Sequence, residues 1–203
     1  MVAIQRWRSY TNGNLPELFR FRLFEEFTEL EHGISTRHSE KKLKPTAHVQ
    51  AAQPHGNRFA VITAAQSPWI VPEVDALLTD QSDICLRIGT SDCVPLIVYD
   101  PIIKRGGVIH AGTKGTTQQI LMNVLKKFKA QNVWLGIGPA VGHECYNGID
   151  LQHENILQAK AGGVPLQQIE VMRWCTRCQS DTFFSHRAGD RENFGTYFRL
   201  VKS

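Results

Sequence analysis

Apolar residues come along this chain in short runs of strand length, set apart by turns rich in Gly, Pro, Asp and Asn. Phe19 to Phe24 (FRFRLF) largely alternates apolar with basic residues and predicts a half-buried strand. Glu31 to Arg37 continues through a glycine turn into a polar segment, and residues 38–50 show no clear period and read as loop. Arg58 to Thr63, Val74 to Thr79 and Ile84 to Ile88 predict three further strands. Val94 to Tyr99 is nearly continuous in apolar residues, as a strand covered on both faces must be; Asp100 to Gly107 supplies a turn, and Val108-Ile-His110 returns from it. The clearest helix carries Ile120, Leu121, Val124, Leu125 and Phe128 at helical spacing. Thr116 or Thr117 can cap it, and Lys126, Lys127 and Lys129 sit near its C-terminus, the end that favours cations. Val133 to Ile137 and Ile169 to Trp174 read as strands, Leu151 to Ala161 as a moderate helix, and Phe194 to Val201 as an edge strand that closes the sheet.

Composition narrows the class without naming a function. A chain of 203 residues is long enough for one well-buried core and short for two, so residues 1–203 are expected to form a single domain. The apolar fraction of 42% and charged fraction of 21% are ordinary for a globular protein. The net charge of +4 is spread along the chain, with only Glu40 to Lys44 (EKKLK) as a small cluster. That suits an anionic small-molecule substrate better than a nucleic-acid surface. The opening MVAIQRWRSYTNGNLPE has no signal-like apolar core and no run is long enough to span a membrane, so a cytoplasmic protein without a membrane partner is expected. Five cysteines, an odd number, point to free thiols or ligands rather than a disulfide framework. Cys175-Thr-Arg-Cys178 lacks a second C-x-x-C pair and reads as structural.

The candidate chemistry concentrates between Thr90 and Gly115. Two strands that return on each other can bring Cys93 and His110 together, either as soft and borderline ligands for zinc or copper or as a nucleophile with its base. His55, flanked by Pro and Gly at a strand edge, and His186, after two phenylalanines, are further partners. A His-Cys-His set provides three ligands and leaves a fourth position open, as catalytic zinc does; a Cys93/His110 hydrolase dyad fits these residues equally well. The H-x-E and P-C-x-x-C signature of nucleobase deaminases is absent. Arg37 is a candidate anion binder, Lys114 lies on a glycine-bordered turn ahead of the predicted helix, and Tyr146 can line a pocket for a flat ring. Asp92 is a candidate general acid or base, or a turn cap.

Several short blocks, in order, resemble those of the YfiH-like laccase-domain, or multicopper polyphenol oxidoreductase, family. They are His32-Gly-Ile-Ser-Thr-Arg37, Gln53-Pro-His55-Gly56, Asp75-Ala-Leu-Leu-Thr-Asp80, Thr90-Ser-Asp-Cys-Val-Pro95, His110-Ala-Gly112, Ile137-Gly-Pro-Ala-Val-Gly142 with Cys145-Tyr146, Cys175-Thr176 and Phe183-Phe-Ser-His-Arg187. Members look like zinc-dependent purine nucleoside phosphorylases with adenosine deaminase side activity. The resemblance implies an α+β fold, a mixed β-sheet sandwich flanked by helices, with His55, Cys93 and His110 as ligands of zinc, or alternatively copper. It also implies Arg37, Lys114 and Arg187 as phosphate or sugar contacts. The expected partners are a nucleoside and phosphate, and the expected assembly is a monomer or homodimer. The chain departs from the family pattern at Thr113-Lys114, where Trp-Arg is usual, at Ser91 and at Ala188. The alternatives are a cysteine hydrolase editing cell-wall precursors and, below it, a copper polyphenol oxidase, for which a single three-ligand site supplies too few coppers.

Overall fold

Strand alternation sorts the apolar residues of this chain onto two surfaces. In a computed structural model, which describes residues 18–40, 48–64 and 69–202, the elements follow in the order β1 (Leu18–Phe19), β2 (Leu30–Ser35), α1 (Arg37–Glu40), β3 (Val49–Ala51), β4 (Phe59–Val61), β5 (Trp69–Val71), β6 (Ala76–Thr79), β7 (Cys85–Thr90), β8 (Val94–Asp100) and β9 (Arg105–Ala111). They continue as α2 (Thr113–Thr117), α3 (Ile120–Leu125), β10 (Trp134–Ile137), α4 (Leu151–Ala161), β11 (Ile169–Val171) and β12 (Phe194–Leu200). One six-stranded sheet has the order β1-β2-β12-β7-β3-β5 and the other β11-β10-β8-β9-β6-β4; both mix parallel and antiparallel pairs. The α+β sandwich expected of the sequence is the fold observed.

The core lies in two layers. Leu77, Ile97, Tyr99 and Val108 of the second sheet meet Ile34, Leu86, Ile88, Phe194 and Phe198 of the first. Their sequence neighbours Leu78, Leu96, Val98 and Ile109 face the other way, onto Ile120, Leu121, Val124 and Leu151 of the helices. The middle of the second sheet is thus covered on both faces, which is why Val94 to Tyr99 reads as an unbroken apolar run.

Five expectations are corrected. FRFRLF is not a strand: β1 ends at Phe19 and Arg22–Phe24 forms a 3-10 turn. The turn puts Phe21 and Phe24, three residues apart, on one side, where both are buried beside the His32 ring. Next, β2 runs straight through Gly33 without turning; a Cβ there would stand 2.9 Å from the Leu18 side chain, so the glycine makes room for β1. The stretch read as loop contains α1 at one end and the start of β3 at the other, while 41–47, with the lysines of EKKLK, and the opening 1–17 lie outside the described residues.

The fourth correction concerns β12, which is central rather than an edge, pairing with β2 on one side and β7 on the other. Inward alternation shows that one face is buried but carries no information on how many neighbours a strand has. Fifth, the predicted single helix is two. α2 begins at Thr113 with Gly112 as its cap, and a left-handed Gln119 (φ 59°) separates it from α3. The break lets Thr116 engage Asn155 and Gln158 of α4 while α3 lays its apolar face on the sheet. None of the described helices is long and apolar enough to cross a membrane.

Candidate metal centre and substrate cavity

The β8–β9 hairpin sets the first two candidate ligands by register. Val94 pairs with Ala111 and Pro95 with His110, so the next position places Cys93 opposite Gly112, on the same face as His110 two residues earlier. On the other side of β9, Ala76 pairs with Ile109, which sets Asp75 beside His110. Asp75 is fully buried, and each of its polar groups is used. Its carbonyl accepts from the His110 N–H at 2.7 Å, and its Oδ1 lies 2.8 Å from His110 Nδ1. The same carboxylate accepts the backbone N–H groups of His55 at 2.9 Å and Gly56 at 2.7 Å. These bonds hold the loop between β3 and β4 in a conformation with left-handed backbone at Gln53 (φ 60°) and His55 (φ 64°). Gln53 adds a second tie, exchanging bonds with the Gly89 backbone.

His55, Cys93 and His110 converge, their ligand atoms all within 4.8 Å of one another, and the two imidazole rings meet edge to face at 4.7 Å. The donor set suits a borderline-to-soft divalent ion: two imidazoles and one thiol. Asp75 engages Nδ1 of His110 and so leaves Nε2 as the free nitrogen, an outer-shell arrangement typical of metal-bound histidine. A Cβ on Gly112 would lie 3.0 Å from Cys93 Sγ and 3.2 Å from His55 Cδ2, so the glycine keeps the space among the three side chains clear. Burial grades from exposed His55 through half-buried Cys93 to buried His110, which opens the centre on one side. Burial holds the His110 pKa below the usual imidazole range despite Asp75, so the ring is neutral and able to ligate. Burial, reinforced by the carboxylates of Asp92 and Asp75, pushes the Cys93 thiol up to about 12. A cation against the sulfur is what would make it a thiolate.

The open side faces a cavity of about 520 Å³, lined by His55 and Cys93 and, around them, Thr113, Lys114, Tyr146 and Arg187. Tyr146 presents its ring, with its hydroxyl 2.5 Å from Thr113 Oγ1 and the Arg187 guanidinium 4.0 Å above the ring centroid. Lys114 lies within the first turn of α2 rather than ahead of it. Asp92 lines the cavity, but its carboxylate is engaged: Oδ1 accepts from Thr176 Oγ1 and Ser185 Oγ, each at 2.7 Å, and Oδ2 from the Arg187 N–H at 2.9 Å. This is a clip that holds Arg187 to the cavity wall, not a free acid or base.

Arg37 stands outside the cavity lining. Its guanidinium is bidentate to Asp190, at 2.9 and 2.5 Å, and also donates to the Ser180 carbonyl at 2.8 Å. The hydrogen bonds to Asp190 raise its pKa further. Asp190 in turn accepts the Ser185 N–H, so Arg37 braces the loop that carries Arg187. Two groups, one buried behind the candidate ligands and one on the cavity wall, escaped the sequence reading. Asp75 sits in a recognised block, but its role is visible only through the β6–β9 pairing; Arg191 adds a cation beside Arg187, in a stretch with no motif of its own.

Comparisons with known proteins place the chain in a family and its fold beside solved structures. The family model described as multi-copper polyphenol oxidoreductase laccase matches residues 31–148 and 147–202. The purine nucleoside phosphorylase of Bacteroides thetaiotaomicron is 34% identical over 65% of this chain and 62% of that protein. The purine nucleoside phosphorylase YlmD of Geobacillus stearothermophilus is 31% identical over 64% and 60% respectively, so the chain spans about three fifths of the length of these relatives. The crystal structure of YlmD from Geobacillus stearothermophilus superposes with a TM-score of 0.85 at 21% identity, over 97% of this chain and 100% of that one. By sequence match over most of its length, and with the same fold in a solved relative, the chain belongs to the multi-copper polyphenol oxidoreductase laccase family.

Proposed function

We propose that this protein is a zinc-dependent purine nucleoside phosphorylase with an accompanying adenosine deaminase activity. The observation that carries the reading is the His55, Cys93 and His110 centre opening directly on a cavity that combines an aromatic ring with several cations. Relatives carrying the phosphorylase name support it. In phosphorolysis, a phosphate oxygen bonds to the anomeric carbon of the ribose as the bond from that carbon to the purine nitrogen breaks. The base leaves with the bonding electron pair and takes up a proton.

The phosphate, the purine and the ion each have a counterpart in the site, and the proton taken up by the base comes from solvent. Lys114, Arg187 and Arg191 offer the positive charge that a phosphate dianion requires. Arg187 is aimed by its backbone bond to Asp92, and Tyr146 supplies a flat face for the purine. His55, Cys93 and His110 would hold the ion, and when bound it supplies Lewis-acid polarisation at the reacting end of the cavity. Asp75, accepting from Nδ1 of His110, leaves Nε2 unprotonated for the ion.

A second reading rests on the 2.8 Å contact between His110 and Asp75, which with Cys93 makes the outline of a cysteine hydrolase triad. The raised Cys93 pKa and the third convergent side chain, His55, weigh against it. One experiment separates the two: metal-replete and chelator-treated protein are incubated with adenosine, inosine or guanosine plus phosphate, and free base and ribose 1-phosphate are measured. Phosphorolysis that disappears on chelation and in His55→Ala supports the proposal. No turnover by metal-replete protein sinks it, and a covalent acyl-enzyme that survives chelation but is lost in Cys93→Ser establishes the hydrolase.

A further inference from the structure

Four cysteines are left over by the first centre; Cys85 lies apart on β7, and the other three are gathered together. Cys145 ends a short 3-10 turn (His143–Cys145), and Cys175 and Cys178 lie 30 residues and more further on, yet the three sulfurs all fall within 4.8 Å of one another. Cys145 Sγ and Cys178 Sγ are 3.5 Å apart, and none of the three is in a disulfide. Backbone bonding brings the two segments together: Ala140 N–H donates to the Trp174 carbonyl at 3.2 Å and Thr176 N–H to the Ala140 carbonyl at 3.0 Å. Two backbone amides also point at one sulfur, Gly142 N–H at 3.2 Å and Cys178 N–H at 3.5 Å from Cys175 Sγ. Amides donating to sulfur stabilise its anionic form, and donation from the second cysteine of a C-x-x-C step back to the first curls the chain so that both sulfurs face one point.

We propose that Cys145, Cys175 and Cys178 form a second metal site, a three-thiolate seat for a thiophilic ion, Zn(II) or Cu(I), separate from the His55, Cys93 and His110 centre. Three sulfur donors with no oxygen or nitrogen ligand select soft ions against magnesium, calcium and manganese. Among the described residues no fourth His, Cys, Asp or Glu joins the group, which suits a three-coordinate Cu(I) or a Zn(II) with one exchangeable position. Cys178 is exposed, so an ion can reach the seat without passing through the substrate cavity. An ion there would tie together the two segments that carry Tyr146, next to Cys145, and Thr176, the partner of Asp92.

The test uses the whole chain, reduced and stripped of metal without oxygen, and titrated separately with zinc and with Cu(I) against a chelator of known affinity. His55→Ala protein, in which the first centre is disabled, is expected to bind one equivalent of at least one ion and to protect the three cysteines from alkylation. Adding Cys178→Ser, a change at an exposed position, is expected to weaken that binding by more than the ~10–100-fold that loss of an outer-shell partner costs. Cys178→Ser alone should keep the first equivalent, and an unchanged thermal midpoint without metal would show that it is folded. Uptake of neither ion by reduced His55→Ala protein overturns the proposal. So does equal uptake by the double variant, or a Cys145–Cys178 disulfide in peptide mapping with no uptake once it is reduced.

Discussion

Asp75 does at one position what the rest of the metal centre depends on. Its Oδ1 receives the His55 N–H and faces His110 Nδ1, and its Oδ2 receives the Gly56 N–H, so both lone-pair sets point at donors. Asparagine has the same shape but one oxygen. With its amide nitrogen toward Gly56, two donors face each other and the His55 loop loosens. Flipped, it makes His110 accept at Nδ1 and moves the ring proton to Nε2, the nitrogen meant for the ion. Either way Asp75→Asn is expected to weaken zinc binding by about 10–100-fold, the range for outer-shell partners of metal histidines. Competition with a zinc chelator measures this. A mutant that binds zinc as the parent does would remove Asp75 from the centre.

At the scale of elements, the position of β12 decides how much stability its side chains carry. Phe198 is wholly buried on the face toward the second sheet, with its ring centroid 6.3 Å from that of Tyr99. Flanked by β2 and β7, it cannot be replaced by solvent or by sliding the strand. Phe198→Ala is therefore expected to cost about 3–5 kcal/mol, read from the urea midpoint, where a true edge position would cost less. The strand was legible in the sequence from its apolar alternation, but its place in the sheet was not, because its partners lie 100 and more residues away. The same holds for the site. Cys93 just precedes one strand of a hairpin and His110 lies on the other, a local relation that two apolar runs announce, although the Gly106-Gly107 pair read as part of the turn lies within β9 and the turn itself is 101–104. His55 could be chosen over His186 only through a resemblance, and the place of Asp75 and the meeting of Cys145 with Cys175 depend on long-range pairing that no local pattern encodes.

For the whole molecule, buried imidazoles link folding to pH. His32 lies in the inter-sheet core between Phe21 and Phe24, with Nε2 accepting the Phe21 N–H at 2.9 Å. Burial, helped by the nearby charge of Arg20, lowers its pKa to about 3 from the usual 6.5. Between those values the unfolded chain binds a proton that the folded one refuses, so stability is full above about pH 6.5 and falls as the pH drops below it. One such group gives a slope of up to about 1.4 kcal/mol per pH unit. His110 acts in the same direction when no ion is bound. Glu29 and Asp80, whose pKa values are held down by Tyr99 and Arg105, contribute only at lower pH, and half-buried Glu170, whose pKa burial raises, works in the opposite direction, so among the described residues the decline from about pH 6.5 to 5 belongs to the histidines. Urea unfolding of chelated protein across that window should show the decline. His32→Leu leaves the Phe21 N–H without this acceptor and should be about 1–3 kcal/mol less stable at pH 7. Yet its stability should fall less steeply toward pH 5, so that the two curves converge; parallel curves would place the titrating group elsewhere.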